Sequence, residues 1–408
     1  MKSILIIQFI LFLVLATVPG QEVNTPLATS FQIRNENGEL SQTSLVEVFE
    51  NNKRKIIEVI DSSQINEYGD SIKIIKTFNF KKTTFSPPVT SNNKYYISTS
   101  VGRVICLDTQ GEIIWEYNTD GLIYSSLLID KDLIITMTSE GDLFTINANN
   151  GDVVQVIGIG EAITSDIRLI DLEFNRMNTK GIIFGTTYGN IYCYELYSLE
   201  MVWENYITDS TIISKPLVVN NKIIFETMEN YYCVNAKNGT LIWKWKKAHD
   251  SETTSFQCDL ISNGKSVFYI DEKGKLFSID LLLGTAQWKK GKKLKASGKL
   301  FMTVNTNEMI VHSRKNQFLV VKQSNGKVKK KIDLPDELKN SLPVCLLEIG
   351  PEKLLGFDNG LICKLDMDNK IEIILSTGNA PVISIISLGG DEYLTNNLDS
   401  KIVRFFLQ

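Results

Sequence analysis

The chain has 408 residues, 43% of them hydrophobic and 22% charged, with a net charge of −4 and a mean hydropathy of −0.03. This is ordinary globular composition and excludes a disordered or fibrous chain. Length alone would suggest two or three domains.

Met1-Lys2 is a short basic start, and Ile4–Val18 is a run of 15 residues broken only by Gln8 and Thr17. Pro19-Gly20-Gln21 follows, with Val18 and Gly20 acceptable as the small residues before a cleavage point. Residues 1–20 therefore read as a secretory signal peptide. The run is shorter than the ~20 residues a membrane-spanning helix needs. No Cys lies near the cleavage point, which speaks against a lipid anchor. The mature chain is expected to be exported: secreted, periplasmic or in a secretory lumen. An uncleaved segment would instead make a sensor ectodomain. Residues 21–70 form a separate N-terminal extension, in which Leu45–Phe49 and Lys55–Ile60 flank Glu50-Asn51-Asn52-Lys53 and read as a hairpin, with one amphipathic helix as the alternative.

From residue 71 onward the pattern changes. Ser71–Phe80 is a β-rich run. After it, a turn residue followed by an alternating apolar strand and an acidic or amide residue recurs eight times. The copies begin at Gly102, Gly141, Gly189, Glu229, Gly274, Lys315, Gly360 and Ser400. A near-constant period of about 40 residues marks one supersecondary unit copied in series. Residues 214–246 show its content. Ser214–Val219, Lys222–Thr227, Tyr231–Val234 and Thr240–Trp245 are four short strands separated by Asn-rich or Gly-containing turns. Four such strands make one antiparallel blade.

The last unit, Ala380–Gln408, has room for three strands: Pro381–Leu388, Glu392–Thr395 and Lys401–Leu407. An open sheet edge there would be a liability, and Ser71–Phe80 is placed to fill it. The expected fold is all-β, an eight-bladed propeller over residues 71–408 closed by an N-terminal strand, with seven blades as the alternative.

Trp115, Trp203, Trp243 and Trp288 share one slot in the fourth strands and read as inter-blade packing residues. Gln155 and Lys330 hold that slot in units two and six. Cys106, Cys193 and Cys233 share a third-strand position, with Cys363 one place off. Equivalent positions in different blades lie too far apart for a bridge, so these thiols read as small packing groups. Cys258 and Cys345 fall on first strands.

No reactive constellation emerges. His249 and His312 are the only histidines, and there is no Cys-x-x-Cys, Gly-x-Ser-x-Gly or phosphate loop. Asp271-Glu272 and Asp391-Glu392 read as solvated turns. Asn238-Gly239-Thr240 is an N-glycosylation sequon in a turn.

Charge is the strongest local signal. Residues 244–331 hold 18 Lys and one Arg against seven carboxylates, a net of +12. Lys244, Lys246 and Lys247 adjoin the fourth strand of unit four. Lys289, Lys290, Lys292, Lys293 and Lys295 do so in unit five, and Lys327, Lys329, Lys330 and Lys331 in unit six. Fourth strands lie on the rim of a propeller, so these twelve lysines are expected to form a cationic arc for an acidic protein or an anionic membrane surface. Lys that merely blunts strand edges is the alternative. Nucleic acid is disfavoured because no Arg or aromatic reading pattern is interleaved.

Asn235–Trp243, Asp108–Trp115 and Asp280–Trp288 resemble the repeat of pyrroloquinoline-quinone-type propellers. The resemblance covers about residues 86–408 and implies either of two function classes. Quinone-dependent dehydrogenases of alcohols and sugars bind calcium beside the quinone and often carry adjacent cysteines. This chain has no Cys-Cys pair and no acid–amide calcium cluster. The BamB-type scaffolds are non-enzymatic and offer loops to a protein partner. Length and blade count are similar to that class, although its members usually carry a lipidated Cys. The resemblance thus implies a non-enzymatic scaffold without cofactor, with an unidentified protein partner and the quinoprotein oxidoreductase as the alternative; a monomer is expected.

Overall fold

The computed structural model describes residues 72–79, 83–208, 210–247, 260–303 and 307–407, and the backbone of strands at 27–34, 40–50 and 53–60. The expected signal segment, His249 and Cys258 lie outside the described residues. In the extension, β2 (Leu40–Glu50) and β3 (Lys53–Ile60) form the expected hairpin, with Glu50 opposite Lys53. A further strand, β1 (Leu27–Arg34), which the sequence did not suggest, pairs with β2 to complete a three-stranded sheet.

Eight four-stranded antiparallel sheets follow as the blades of one propeller. Their strands alternate in character for a physical reason. The two middle strands of a blade are covered by the blades on either side, so they read as unbroken apolar runs. Ser266–Ile270 is buried at all five positions, and Val104–Leu107 at all four. The fourth strand meets solvent and alternates instead, as in Val153–Gly158. The recurring glycine is equally explicable. Gly102 and Gly189 turn from second to third strand at φ +88° and +84°. A Cβ on either would stand 2.2 or 1.8 Å from the carbonyl oxygen of Gly121 or Thr208 in the next loop. Only a residue without a side chain allows the two backbones that close.

Blade 8 comprises Val382–Gly389, Glu392–Asn397, Lys401–Leu407 and, outermost, β4 (Ile72–Asn79). β4 runs antiparallel to Lys401–Leu407 from Lys401 opposite Asn79 to Leu407 opposite Ile72. Seven blades are therefore excluded. The junction is tied further by Arg404, whose Nη1 donates to the Thr109 carbonyl (3.0 Å), and by Asn396, whose Nδ2 donates to that of Ser86 (3.1 Å).

The Trp slot joins neighbouring blades. The indole N–H groups of Trp115, Trp203, Trp243 and Trp288 donate to the carbonyls of Ala148, Ala236, Leu281 and Ser324 at 2.9–3.2 Å, each in the next blade. Each ring also lies against the glycine of that blade's turn. A Cβ on Gly239, at φ +69°, would stand 2.5 Å from the Trp203 ring. At 150–250 Å² of buried ring, each Trp contributes roughly 4–6 kcal/mol before entropy is counted. Where Trp is missing, the donor survives. Gln155 Nε2 reaches the Ser198 carbonyl (3.2 Å) and Lys330 Nζ that of Asp368 (3.1 Å). Opposite Gln155, the glycine is replaced by Leu199, itself at φ +51° and buried. Across the ring closure, β4 supplies Phe78 to Gly111.

Two expectations require correction. Unit five does not carry a regular fourth strand through Trp288. Ile279 bridges Ala286, but Lys275 pairs with Lys293, so Lys289-Lys290-Gly291 forms a bulge. Asp271 is no solvated tip: it is buried and its carboxylate accepts from the Lys275 N–H (2.7 Å).

Candidate functional site

The twelve lysines do not form one arc. The Lys247 side chain is largely covered, its ammonium on the Glu226 carboxylate at 2.5 Å and 4.8 Å from the centre of the Tyr231 ring. That position belongs to the interior because Glu226 ends the second strand of the same blade. Lys244 lies over Tyr232 (5.2 Å) and Lys292 over Trp288 (5.7 Å). Lys329 pairs with Glu308 (2.6 Å), and Lys330 is held by its inter-blade bond. Lys295 sits at φ +54° in the loop leading to blade 6, off the outer strand. Its carbonyl accepts from Arg314. Lys246, Lys289, Lys290, Lys293, Lys327 and Lys331 remain on the rim, exposed. Among the described residues these six make no ion pair. The cationic surface is real but narrower than the charge count suggests, and it is centred on the bulge of blade 5.

A second surface had no signal in the repeat. The loops that enter each blade and the turns between second and third strands open on one face of the disc. Around blades 1 and 2 they present Phe85, Val101, Leu122 and Tyr124, each between 41% and 53% exposed. The four are brought together by backbone bonds. Ser100 N donates to Thr83 O (2.8 Å), and Gly102 packs on Gly121. The Phe85 and Tyr124 rings meet at 5.3 Å. Tyr188 and Met228 stand exposed in the corresponding turns of blades 3 and 4. Exposed apolar residues gathered on one face, rather than scattered, mark an interaction surface. The residues occupy loops without periodicity, so no pattern in the sequence selects them.

Beside this cluster, equivalent positions entering blades 2, 3 and 4 form a polar staple. The carboxylate of Asp166 accepts from the Ser126 N–H (2.6 Å) and hydroxyl (2.7 Å) and pairs with Lys215 at 2.7 Å. Burial alone would raise the Asp166 carboxyl, but Lys215 and Ser126 outweigh it and hold it below the usual carboxylate range. Its bonds are satisfied within the protein, and it ties the inner strands of three blades.

Most of the cysteines and His312 are buried in the blades. Cys106, Cys193 and Cys233 are inaccessible and unbridged, their thiols raised by burial to about 11, 12 and 12. Such thiols are packing groups, not nucleophiles. His312 donates to or accepts from the Ser297 hydroxyl (2.8 Å), and burial lowers its pKa to about 4. No group of three or more His, Cys, Asp or Glu among the described residues could hold a metal ion. Asn238 stands exposed in its turn, its Oδ1 accepting from the Thr240 hydroxyl at 2.8 Å.

A family model described as outer membrane protein assembly factor BamB matches residues 58–154 and 177–331. Similar proteins include the outer membrane protein assembly factor BamB of Shewanella oneidensis, 21% identical over 215 residues. That match spans 48% of this chain and 51% of the relative. The factor of the same name from Moranella endobia is 22% identical over 251 residues, spanning 59% of this chain and 64% of its own. The chain thus spans between half and two thirds of the length of the curated relatives it matches. The crystal structure of BamB from Moraxella catarrhalis superposes with a TM-score of 0.65 at 14% identity, covering 82% of this chain and all of that one. At that identity the likeness is one of fold.

Proposed function

The chain belongs to the family of outer membrane protein assembly factor BamB, and from that premise we propose that it is an exported, non-catalytic propeller scaffold that binds a protein partner in envelope or secretory-pathway assembly. The relatives are named as assembly factors, which supports a role in bringing proteins together. The single observation that carries the reading is the exposed cluster of Phe85, Val101, Leu122 and Tyr124 on one face. Aromatic residues at the centre of a patch supply most of the binding energy in protein interfaces. The exposed lysines of blades 5 and 6 act alongside it, steering an acidic partner before contact.

The test is a photo-crosslinking residue at Tyr124, at Lys289 and, as the control on the opposite face, at Leu282, in the native host. A single protein crosslinked from Tyr124 and absent from Leu282 is the expected result. Crosslinking from Tyr124 no greater than from Leu282 would reject the face as the docking surface. The combined change Lys289→Glu, Lys290→Glu, Lys293→Glu should slow capture and flatten its salt dependence. Unchanged capture would remove the rim from the scheme.

A further inference from the structure

Among the described residues the outer strand of each blade has one edge with no partner strand, and most of these edges carry charge. Glu116 stands on blade 1, Glu204 on blade 3, Lys246 on blade 4, Lys293 on blade 5, Lys331 on blade 6 and Glu372 on blade 7. In blade 8, β4 carries Lys73 and Lys76. Charge on an edge is the usual defence against an unwanted strand. Blade 2 lacks it. Its outer strand is Val153-Val154-Gln155-Val156-Ile157-Gly158, without a charged residue.

The geometry of that edge is open. Val154 and Val156 are 50% and 51% exposed on the same side of the strand. Ile159 N donates inward to Gly141 O (2.8 Å), and Ile157 and Gln155 stand opposite Leu143 and Thr145. In an antiparallel ladder the bonded positions alternate. Ile157 and Gln155 therefore turn their N–H and C=O groups inward, and Val156 and Gly158 turn theirs outward. Gly158 and Gly160 leave the approach unobstructed: a Cβ on Gly160 would meet nothing within 4 Å.

We propose that the outer strand of blade 2 is a strand-addition site that takes an extended segment of a partner polypeptide, apolar at alternate positions and uncharged over the paired stretch. The class of occupant follows from two considerations. The strand itself offers no charge to compensate the desolvation of a charged side chain, so a charged segment is penalised, and the Asp142 carboxylate beside Gly158 penalises an acidic one further. A second copy of this chain would bring together two convex rims along one six-residue strand, far short of the ~1,000 Å² a stable interface needs. A single extended segment can follow the strand, pair with its outward groups and lay its side chains on Val154 and Val156. The proposal rests on the scaffold reading only in that the occupant is a polypeptide, and it uses neither the face cluster nor the lysines.

The probe is a labelled, end-capped peptide of alternating Val and Thr, titrated into the full chain by fluorescence anisotropy. Saturable binding is expected. A peptide of the same sequence, N-methylated at alternate residues, keeps the side chains but loses backbone donors. It should bind at least about tenfold more weakly, a loss of about 1.4 kcal/mol. Val156→Lys should weaken the parent peptide similarly, and Ile114→Lys on the blade 1 edge should not. Absence of binding would overturn the proposal, as would equal binding of the N-methylated peptide or indifference to Val156→Lys. A dimer abolished by Val156→Lys, without peptide binding, would assign the edge to self-association and equally overturn it. Failure here leaves the Tyr124 crosslinking result untouched, so the two readings fall separately.

Discussion

Replacing Gln155 with Trp would test whether the slot and the turn opposite it form one matched unit. Four blade junctions pair a Trp with a glycine of the next blade. The junction between blades 2 and 3 pairs Gln155 with Leu199, which is buried in one apolar cluster with Ile135, Leu143 and Tyr192. Leu199 holds the same turn position, since its N–H bonds Glu195 O as that of Gly239 bonds Asn235 O. The volume is thus conserved across the junction while its owner is exchanged. Gln155→Trp alone overpacks the site and loses the bond to Ser198, costing about 2–4 kcal/mol. Leu199→Gly alone removes a buried side chain at roughly 2–5 kcal/mol, offset by about 1 kcal/mol of relieved left-handed strain. Together they recreate the Trp203–Gly239 arrangement, and the pair should recover about 1–3 kcal/mol relative to the sum. Urea midpoints of the two single variants and the double variant measure this coupling. A double variant as unstable as the two losses added would refute the matched-unit reasoning.

Further outcomes follow from the same geometry. Phe78→Ala should destabilise the ring by about 3–5 kcal/mol, read as a lower unfolding midpoint; Ile75→Ala on the same strand, half-exposed, should cost far less. Lys247→Met leaves Glu226 buried without its ammonium and should cost about 3 kcal/mol, whereas Lys289→Met should stay within about 0.5 kcal/mol. His312 has a folded pKa of about 4, below its ordinary value of 6.5. Between those values the unfolded chain binds the proton first, so stability falls as pH drops through this window and is level above it. The loss from pH 7 to pH 5 should be about 2 kcal/mol and should vanish in His312→Phe. The buried cysteines should resist a thiol reagent at pH 8 until urea unfolds the chain.

The fold was largely legible because a blade's middle strands are covered on both sides, and such strands must be apolar in every copy. The turn glycines were legible for a related reason, since backbone approach admits no side chain. The ring closure could be read from a three-strand remainder. The sequence was less informative where a residue's meaning depends on a neighbour it does not name. Lys247 looked like its rim neighbours until Glu226, 21 residues earlier, proved to be its partner. Gln155 and Lys330 looked like gaps in the Trp series, yet each keeps the hydrogen bond. The Phe85–Tyr124 cluster draws on loops that the period leaves free to vary, so repetition could not reveal it.

The closure of blade 8 also bears on how the chain becomes a ring. Phe405 pairs with Ile74 across more than 300 residues of intervening chain. Forming that pair early would close a loop whose entropy grows only logarithmically with length, but its neighbours would supply no packing until blades 1 and 7 exist. Folding is therefore expected to run through locally assembled blades, with the circle completed last and slowly, as for any topology dominated by distant pairings. Until that step the two halves of blade 8 are open templates, and the complete circle has none at that seam. The interval before closure is when the molecule most needs to be kept from its own kind.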